Sequence, residues 1–114
     1  MPDPTPPIRP TDDDACRLAR RLLRSATTAA LAFSDPANAS PAISRIGFGL
    51  DPQGLPITLL SDLSAHTQAL RANPDCALLL GEPGPKGDPM ASPRLSLTAR
   101  TTFIAADDPT LRDL

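Results

Sequence analysis

The sequence predicts an α+β fold, mainly β, in which antiparallel strands form a small barrel or curved sheet with flanking helices. The chain has 114 residues, which is the usual length of one domain. Its apolar pattern predicts, in order, a helix, three strands, a second helix and two strands. Most neighbouring strands are joined by short turns, which favour antiparallel pairing over a doubly wound parallel sheet.

Composition and charge exclude several classes of protein. Hydrophobic residues make up 40% of the chain and charged residues 21%, as in ordinary globular domains. The aromatic residues are three Phe, with no Trp or Tyr, so we expect a core of Leu, Ile and Ala and no base-stacking platform. The net charge of -2 provides no basic field for nucleic acid or for an anionic membrane. We therefore expect neither partner.

Cysteine usage and the N-terminal sequence predict a cytoplasmic protein. Cys16 and Cys76 are far apart and neither belongs to a CxxC pair, so they favour buried thiols over a disulfide framework or a zinc site. The first residues have no apolar stretch of the kind that a secretory signal needs. No apolar run is as long as a membrane span.

The N-terminal region divides into an arm and a helix. Residues 1–10 are rich in proline and predict a disordered or polyproline arm, followed by a folded domain over 11–114. Thr11 is the predicted N-cap of a helix over 12–26, and acidic residues in its first turn favour the helix dipole. One face of this helix carries four arginines, which are either a solvated face or an anion site: Arg17, Arg20, Arg21 and Arg24.

The remaining elements follow from alternation and turn residues. A turn at 51–54 predicts a hairpin between its two flanking strands. Ser64 and Asn73-Pro74 bound a predicted helix. The predicted strands are 27–33, 41–50, 55–61, 76–81 and 94–106, the helix is 64–72, and 82–93 is a loop.

The start of this second helix is the strongest candidate site. The first N–H groups of a helix have no intrahelical partner, and together with the dipole they bind anions. Ser61, Ser64 and Thr67 add hydroxyl groups, and His66, the only histidine, adds a ring N–H. From the residues alone, simple capping by Ser64 with a surface His66 explains the pattern equally well.

Two weaker candidates lie elsewhere in the chain. Arg45, beside Ser44 in a strand, is either an exposed edge charge or an anion ligand. Lys86 lies between glycines but lacks the rest of a phosphate-binding P-loop. The sequence has no GxGxxG, HExxH or GxSxG motif and a single histidine, so it identifies no catalytic residue.

Four segments together resemble the pyridoxamine 5'-phosphate oxidase-like flavoproteins, a family of FMN-binding split barrels, and within it a bacterial branch that includes haem-utilisation proteins. The most specific segment is LSDLSAHTQALRANPDCALLL. The others are TTAALAF, PAISRIGFG and GDPMASPRLSLTAR. The resemblance implies an antiparallel split β-barrel that binds FMN at the interface of a homodimer.

The resemblance also assigns roles to individual residues. It implies that the strand containing Ser44, Arg45 and Ile46 runs along the flavin and its phosphate. The implied contacts of the remaining residues are with the cofactor for Leu60 and Ser61, with the phosphate for Ser64 and His66, and with the flavin ring or ribityl chain for Arg94. Thr67 completes the expected donor set.

Departures from the oxidase pattern limit what the resemblance implies about the reaction. Ser44, Gly49 and Ala65 stand where the oxidases have basic residues, which argues against pyridoxamine phosphate as substrate. The family continues with at least one more strand after the segment that begins at Asp107, so we expect a domain that is incomplete at its C-terminus or completed by a partner. The haem-binding tail of haem-degrading relatives does not follow either, which argues against that activity.

The expected function is that of an FMN-binding flavoprotein, an oxidoreductase related to pyridoxamine 5'-phosphate oxidase. In such proteins the flavin performs the redox chemistry and the protein supplies position and donors. The redox substrate is not identified by the sequence. Two alternatives stay open: a non-catalytic flavin- or haem-binding module, and a barrel that has lost its cofactor.

Overall fold

The computed structural model describes residues 12–109 and Leu111, so the predicted arm over 1–10 lies outside the described residues. Two helices and six strands are present, with a 3₁₀ turn at Pro89–Ala91. The helices are α1 (Asp13–Ser25) and α2 (Ala65–Ala72). The strands are β1 (Thr28–Ser34), β2 (Pro41–Gly47), β3 (Gly49–Leu50), β4 (Pro56–Ile57), β5 (Asp75–Leu80) and β6 (Leu95–Arg100).

Helix α1 begins one residue later than the sequence predicts. Asp12, and not Thr11, is its N-cap, and the Asp12 carboxylate accepts a 2.7 Å hydrogen bond from the backbone N–H of Ala15. Aspartate and threonine both cap helices, so composition alone could not separate the two positions. The acidic first turn and Arg24 in the last turn complement the helix dipole.

The main sheet has four strands in the order β2-β1-β5-β6, and every pair is antiparallel. Short connections and alternating burial produce this arrangement, and the predicted α+β class with mainly antiparallel strands is confirmed. Strands β3 and β4 form a separate two-stranded sheet. Among the described residues, the strands do not close into a barrel.

The two faces of the main sheet differ. One face, here called the core face, packs against α2 and holds the buried cluster of Ala29, Leu31, Ile46, Leu70 and Leu80. The opposite face, here called the outer face, carries Ala30, Ile43, Arg45 and Leu79. The register sets this division, because Ala29 lies opposite Ile46 while Ala30 lies opposite Arg45 and Leu79.

Several predicted strands are shorter than expected. The predicted strand over 41–50 is interrupted at Phe48, although Phe48 N–H still donates to the O atom of Thr27, the residue before β1 (2.9 Å). Of the predicted strand over 55–61, only Pro56–Ile57 pairs, and the Thr58 hydroxyl donates to Gly47 O (2.6 Å). The predicted strand over 94–106 ends at Arg100: Thr101 N–H still donates to Pro74 O (2.8 Å), but Pro74 has no N–H with which to return the bond.

Within residues 12–109 and Leu111, no helix could span a membrane. Neither α1 nor α2 has the length and the apolar character that crossing a bilayer requires.

Candidate functional site

The start of α2 carries a compact hydroxyl network. Ser64 Oγ and Thr67 Oγ1 are 2.8 Å apart, and each lies within hydrogen-bond distance of Ser61 O, at 2.8 Å and 2.6 Å. The two hydroxyl protons are therefore shared among three oxygen–oxygen contacts. Ser61 Oγ accepts from Leu63 N–H (3.2 Å). The structure thus brings together three of the residues predicted from the sequence, but it uses their hydroxyl groups to fix the loop before α2.

This network leaves the helix start without a side-chain cap. Ser64 occupies the N-cap position, as predicted, yet its side chain makes no capping hydrogen bond. A capping serine normally accepts from the second or third N–H of the helix. The first-turn N–H groups of Ala65, His66 and Thr67 therefore have no side-chain acceptor among the described residues. Backbone donors at the positive end of a helix dipole are suited to bind an anionic group.

The loop before α2 is also held from the other side by residues that the sequence did not single out. Gln68 Nε2 donates to Asp62 O (2.8 Å), and the Arg71 guanidinium lies 3.3 Å from the Asp62 carboxylate. The same guanidinium stacks over the ring of Phe103, 4.3 Å from its centroid. The spacing of Gln68 and Arg71 places them on one helix face. Nothing in the sequence showed that this face meets Phe103.

His66 lies between α2 and the sheet. Its half-buried imidazole packs edge-on against Phe33 near the end of β1, with 6.2 Å between the ring centroids. Phe33 faces the core side of the sheet and packs against the buried cluster. The histidine is therefore oriented by packing beside the uncapped helix start. No hydrogen bond to its ring nitrogens is found among residues 12–109 and Leu111.

Two leucines next to this site are almost fully exposed. Leu59 is 96% exposed and Leu63 is 95% exposed, whereas Leu60 between them packs against the core. Single exposed leucines are common on protein surfaces. Here, however, two of them flank Ser61, on a loop that side-chain hydrogen bonds hold in place. The arrangement combines anion-binding donors with apolar surface, which suits a ligand that has an apolar body and an anionic arm.

The strand residues predicted to run along a cofactor point in opposite directions. Ile46 is buried in the core (7% exposed), and Ser44 lies on the same face, opposite Leu31. Arg45 is exposed on the outer face, opposite Ala30. Within one chain the Arg45 side chain therefore lies on the face of the sheet that α2 does not cover.

Arg94 lies at the other edge of the sheet. It directly precedes β6, which is separated from β2 by two strands, or about 14 Å at the usual strand spacing. Its guanidinium donates to Met90 O (2.9 Å) and so holds the 3₁₀ turn. Neither Arg94 nor Arg45 has an acidic partner among the described residues. Both retain charge for an external anion, but one chain does not bring them to the start of α2.

The donor set at α2 fits the anionic part of a cofactor. Unpartnered N–H groups and an imidazole can bind the phosphate of FMN or a haem propionate, since both groups are anionic oxygen acceptors. An imidazole nitrogen can also ligate haem iron. The fit therefore indicates that the ligand carries an anionic group, but it does not by itself distinguish a haem ring from a flavin ring.

Comparison with known proteins relates the chain to haem proteins. No family model matches the sequence. A segment of 48 residues is 42% identical to the chloroplastic non-canonical haem oxygenase HOZ of Arabidopsis thaliana; it covers 42% of this chain and 15% of the oxygenase. The segment match therefore spans a small part of that curated relative.

Solved structures share the fold over most of the chain. A haem-binding protein from Mycobacterium smegmatis is 27% identical with a TM-score of 0.71, over 88% of this chain and 39% of that protein. The haem storage protein HutZ from Vibrio cholerae is 21% identical, with a TM-score of 0.67, over 85% of this chain and 66% of HutZ. At this low identity the similarity is evidence for a shared fold only.

A further solved structure is similar enough to define a family. It is 39% identical, with a TM-score of 0.80, over 91% of this chain and 69% of the other chain. The chain therefore belongs to the same family as that protein, and it has a split-barrel-like fold in common with HutZ and the haem-binding protein from Mycobacterium smegmatis.

Proposed function

We propose that this chain is a binding module for a planar anionic cofactor, with haem as the first candidate. The observation that carries the proposal is the start of α2, where uncapped N–H groups lie beside the oriented His66 and the exposed Leu59 and Leu63. The choice of haem is supported by the haem-binding and haem oxygenase proteins to which the chain is similar. This proposal favours binding over the expected oxidoreductase activity.

The residues at this site would contact different parts of the cofactor. The N–H groups of Ala65 and His66 would hold a propionate, and Leu59 and Leu63 would cover part of the apolar ring. His66 would donate a hydrogen bond to a propionate or ligate the metal. When bound, haem would supply an iron centre. Asp62 and Arg71 do not reach the ligand in this proposal; they fix the loop that presents Leu63.

FMN is the second candidate, favoured by the density of donors at 61–67 and by the unpaired guanidinium groups of Arg45 and Arg94. A phosphate at a helix start is a common arrangement. With FMN bound, the chain would act as a flavoprotein oxidoreductase related to pyridoxamine 5'-phosphate oxidase. The flavin would perform the redox chemistry, since no described side chain is placed as a general acid or base for an identified substrate.

We also propose that the chain acts as a homodimer. The outer face exposes Ile43 (72%) and Leu79 (44%), and no strand among residues 12–109 pairs with the outer edges of β2 and β6. A second copy would cover apolar surface there.

Spectroscopic titration separates the two cofactors. Haem binding should produce a saturable change in the Soret band of added hemin, while FMN binding should quench flavin fluorescence. His66→Ala should weaken the binding of the true cofactor by about tenfold, the cost of one charge-assisted hydrogen bond. Thr102→Ala, an exposed site, serves as control. If neither cofactor binds saturably, the proposed function is wrong.

A further inference from the structure

A cavity lies at the opposite end of the main sheet from the start of α2. Its volume is about 300 Å³, and its walls come from the end of α1, the start of β1 and the loop after β5. Thr28 in its wall and Phe33 beside His66 are five residues apart along β1, which corresponds to about 17 Å of extended strand. The cavity is therefore separate from the proposed cofactor site. Its volume is at the lower end of the range for small-molecule sites.

Backbone packing fixes the position of the acidic residue in this cavity. Gly81 ends β5 with a φ of +102°, and a Cβ atom at this position would lie 2.4 Å from Pro93 O. Only glycine permits this close approach of the two backbone segments. Glu82 follows immediately, so the approach holds Glu82 and Pro93 in the same wall of the cavity.

The described lining of this cavity is negative and rich in acceptors. Glu82 is the one charged residue that lines it, and three hydroxyl-bearing residues, Ser25, Thr27 and Thr28, also belong to the lining. Glu82 has no ion-pair partner among residues 12–109 and Leu111. The cavity also adjoins the C-terminal end of α1, where Arg24 in the last turn complements the helix dipole, so the negative character of the lining comes from Glu82. An anionic ligand would be repelled here, whereas a cation with several N–H donors would be complementary.

We propose that this cavity binds a small aliphatic ammonium ligand. The ammonium group donates hydrogen bonds to the Glu82 carboxylate and to the hydroxyl oxygens, which together can satisfy its three donors. The hydrocarbon part packs against Leu22, Ala26 and Pro93, the apolar part of the lining. This site does not depend on the cofactor at α2.

An NMR titration of the full chain tests the proposal with three probes of matched length: n-butylammonium chloride, n-butanol and sodium butyrate. Butylammonium should shift the amide signals of Thr28 and Glu82 saturably. Butanol should bind about tenfold more weakly, because it lacks the charge-assisted hydrogen bonds, and butyrate should cause no saturable shift. Glu82→Gln should weaken butylammonium binding by a similar factor, while the exposed Asp13→Asn should leave it unchanged.

Three results would overturn the proposal: no saturable shift with butylammonium, equal binding of the three probes, or an unchanged affinity in E82Q. Thermal unfolding of E82Q verifies that the variant is folded. If E82Q is not folded, the comparison of the three probes on the unsubstituted chain still tests the proposal. Hemin and FMN titrations are unaffected by any of these outcomes, so this site and the cofactor site are tested separately.

Discussion

The imidazole of His66 lies edge-on to the ring of Phe33, with 6.2 Å between the centroids and 68° between the planes. This contact joins the first turn of α2 to the last part of β1. Edge-to-face ring pairs contribute stability beyond the area they bury, so they also restrict orientation. The contact therefore holds the only histidine of the chain beside the N–H groups that Ser64 leaves uncapped.

Ser64→Asp should reduce cofactor binding while leaving the fold stable. The aspartate would cap α2 and gain about 1 kcal/mol, which offsets the loss of the Ser64 hydrogen bond to Ser61 O. Its carboxylate would occupy the first-turn N–H groups and repel an anionic ligand. We expect at least about a tenfold loss of affinity for hemin or FMN, equivalent to about 1.4 kcal/mol.

Thr102→Asp adds the same charge at an exposed position and controls for net charge. Melting temperatures of both variants should stay near that of the unsubstituted chain. Equal cofactor affinity in Ser64→Asp and Thr102→Asp would show that the α2 start is not the anion site.

Gly81→Ala should destabilise the fold more than Gly87→Ala. Both glycines have positive φ, +102° and +86°, so each substitution costs about 1–2 kcal/mol of backbone strain. At Gly81 the added Cβ would also meet Pro93 O at 2.4 Å, whereas at Gly87 no atom lies within 4 Å. Denaturant unfolding of the two variants isolates the cost of the clash. Equal destabilisation would contradict the close approach of β5 and Pro93.

Leu31→Ala should destabilise the fold much more than Leu59→Ala, because Leu31 lies in the core and Leu59 on the surface. Leu31 is 2% exposed and its truncation should lower the free energy of unfolding by about 2–5 kcal/mol. Leu59 is 96% exposed, and its truncation should change stability by less than about 0.5 kcal/mol. Chemical denaturation measures both. Leu59→Ala should still weaken hemin binding, and no change in that affinity would remove Leu59 from the site.

Local sequence signals predicted the helices better than the strand lengths. The helix predicted over 64–72 is observed as Ala65–Ala72, because Ser64 and Asn73-Pro74 bound it on both sides. The apolar run over 55–61 lacks alternation, and only Pro56–Ile57 pairs. Pairing depends on which backbone groups a neighbour offers, and Thr58 contacts Gly47 O through its side chain instead.

The candidate site was predictable where its residues are close in sequence. The hydroxyl groups over 61–67 follow one another along the chain, and the structure joins them. The face on which Arg45 lies was not predictable, because a one-residue change in register reverses every side chain of a strand. The contact of Arg71 with Phe103 spans 32 positions of the chain and depends on where the segment after β6 packs.

The outer face of the main sheet is the proposed interface between two copies of the chain. Ile43 is 72% exposed in the middle of β2, and it shares the outer face with Leu79, which lies two strands away on β5. A twofold dimer that packs these faces together would bury both side chains. We therefore expect light scattering to report about twice the chain mass of 12.0 kDa.

Ile43→Lys should shift this equilibrium to the monomer, because it would place like charges against each other across the twofold axis. Leu55→Lys, at a residue that is 62% exposed outside the main sheet, should leave the dimer intact. A monomer at micromolar concentration in the unsubstituted chain would contradict the proposed dimer. A dimer unaffected by Ile43→Lys would place the interface elsewhere.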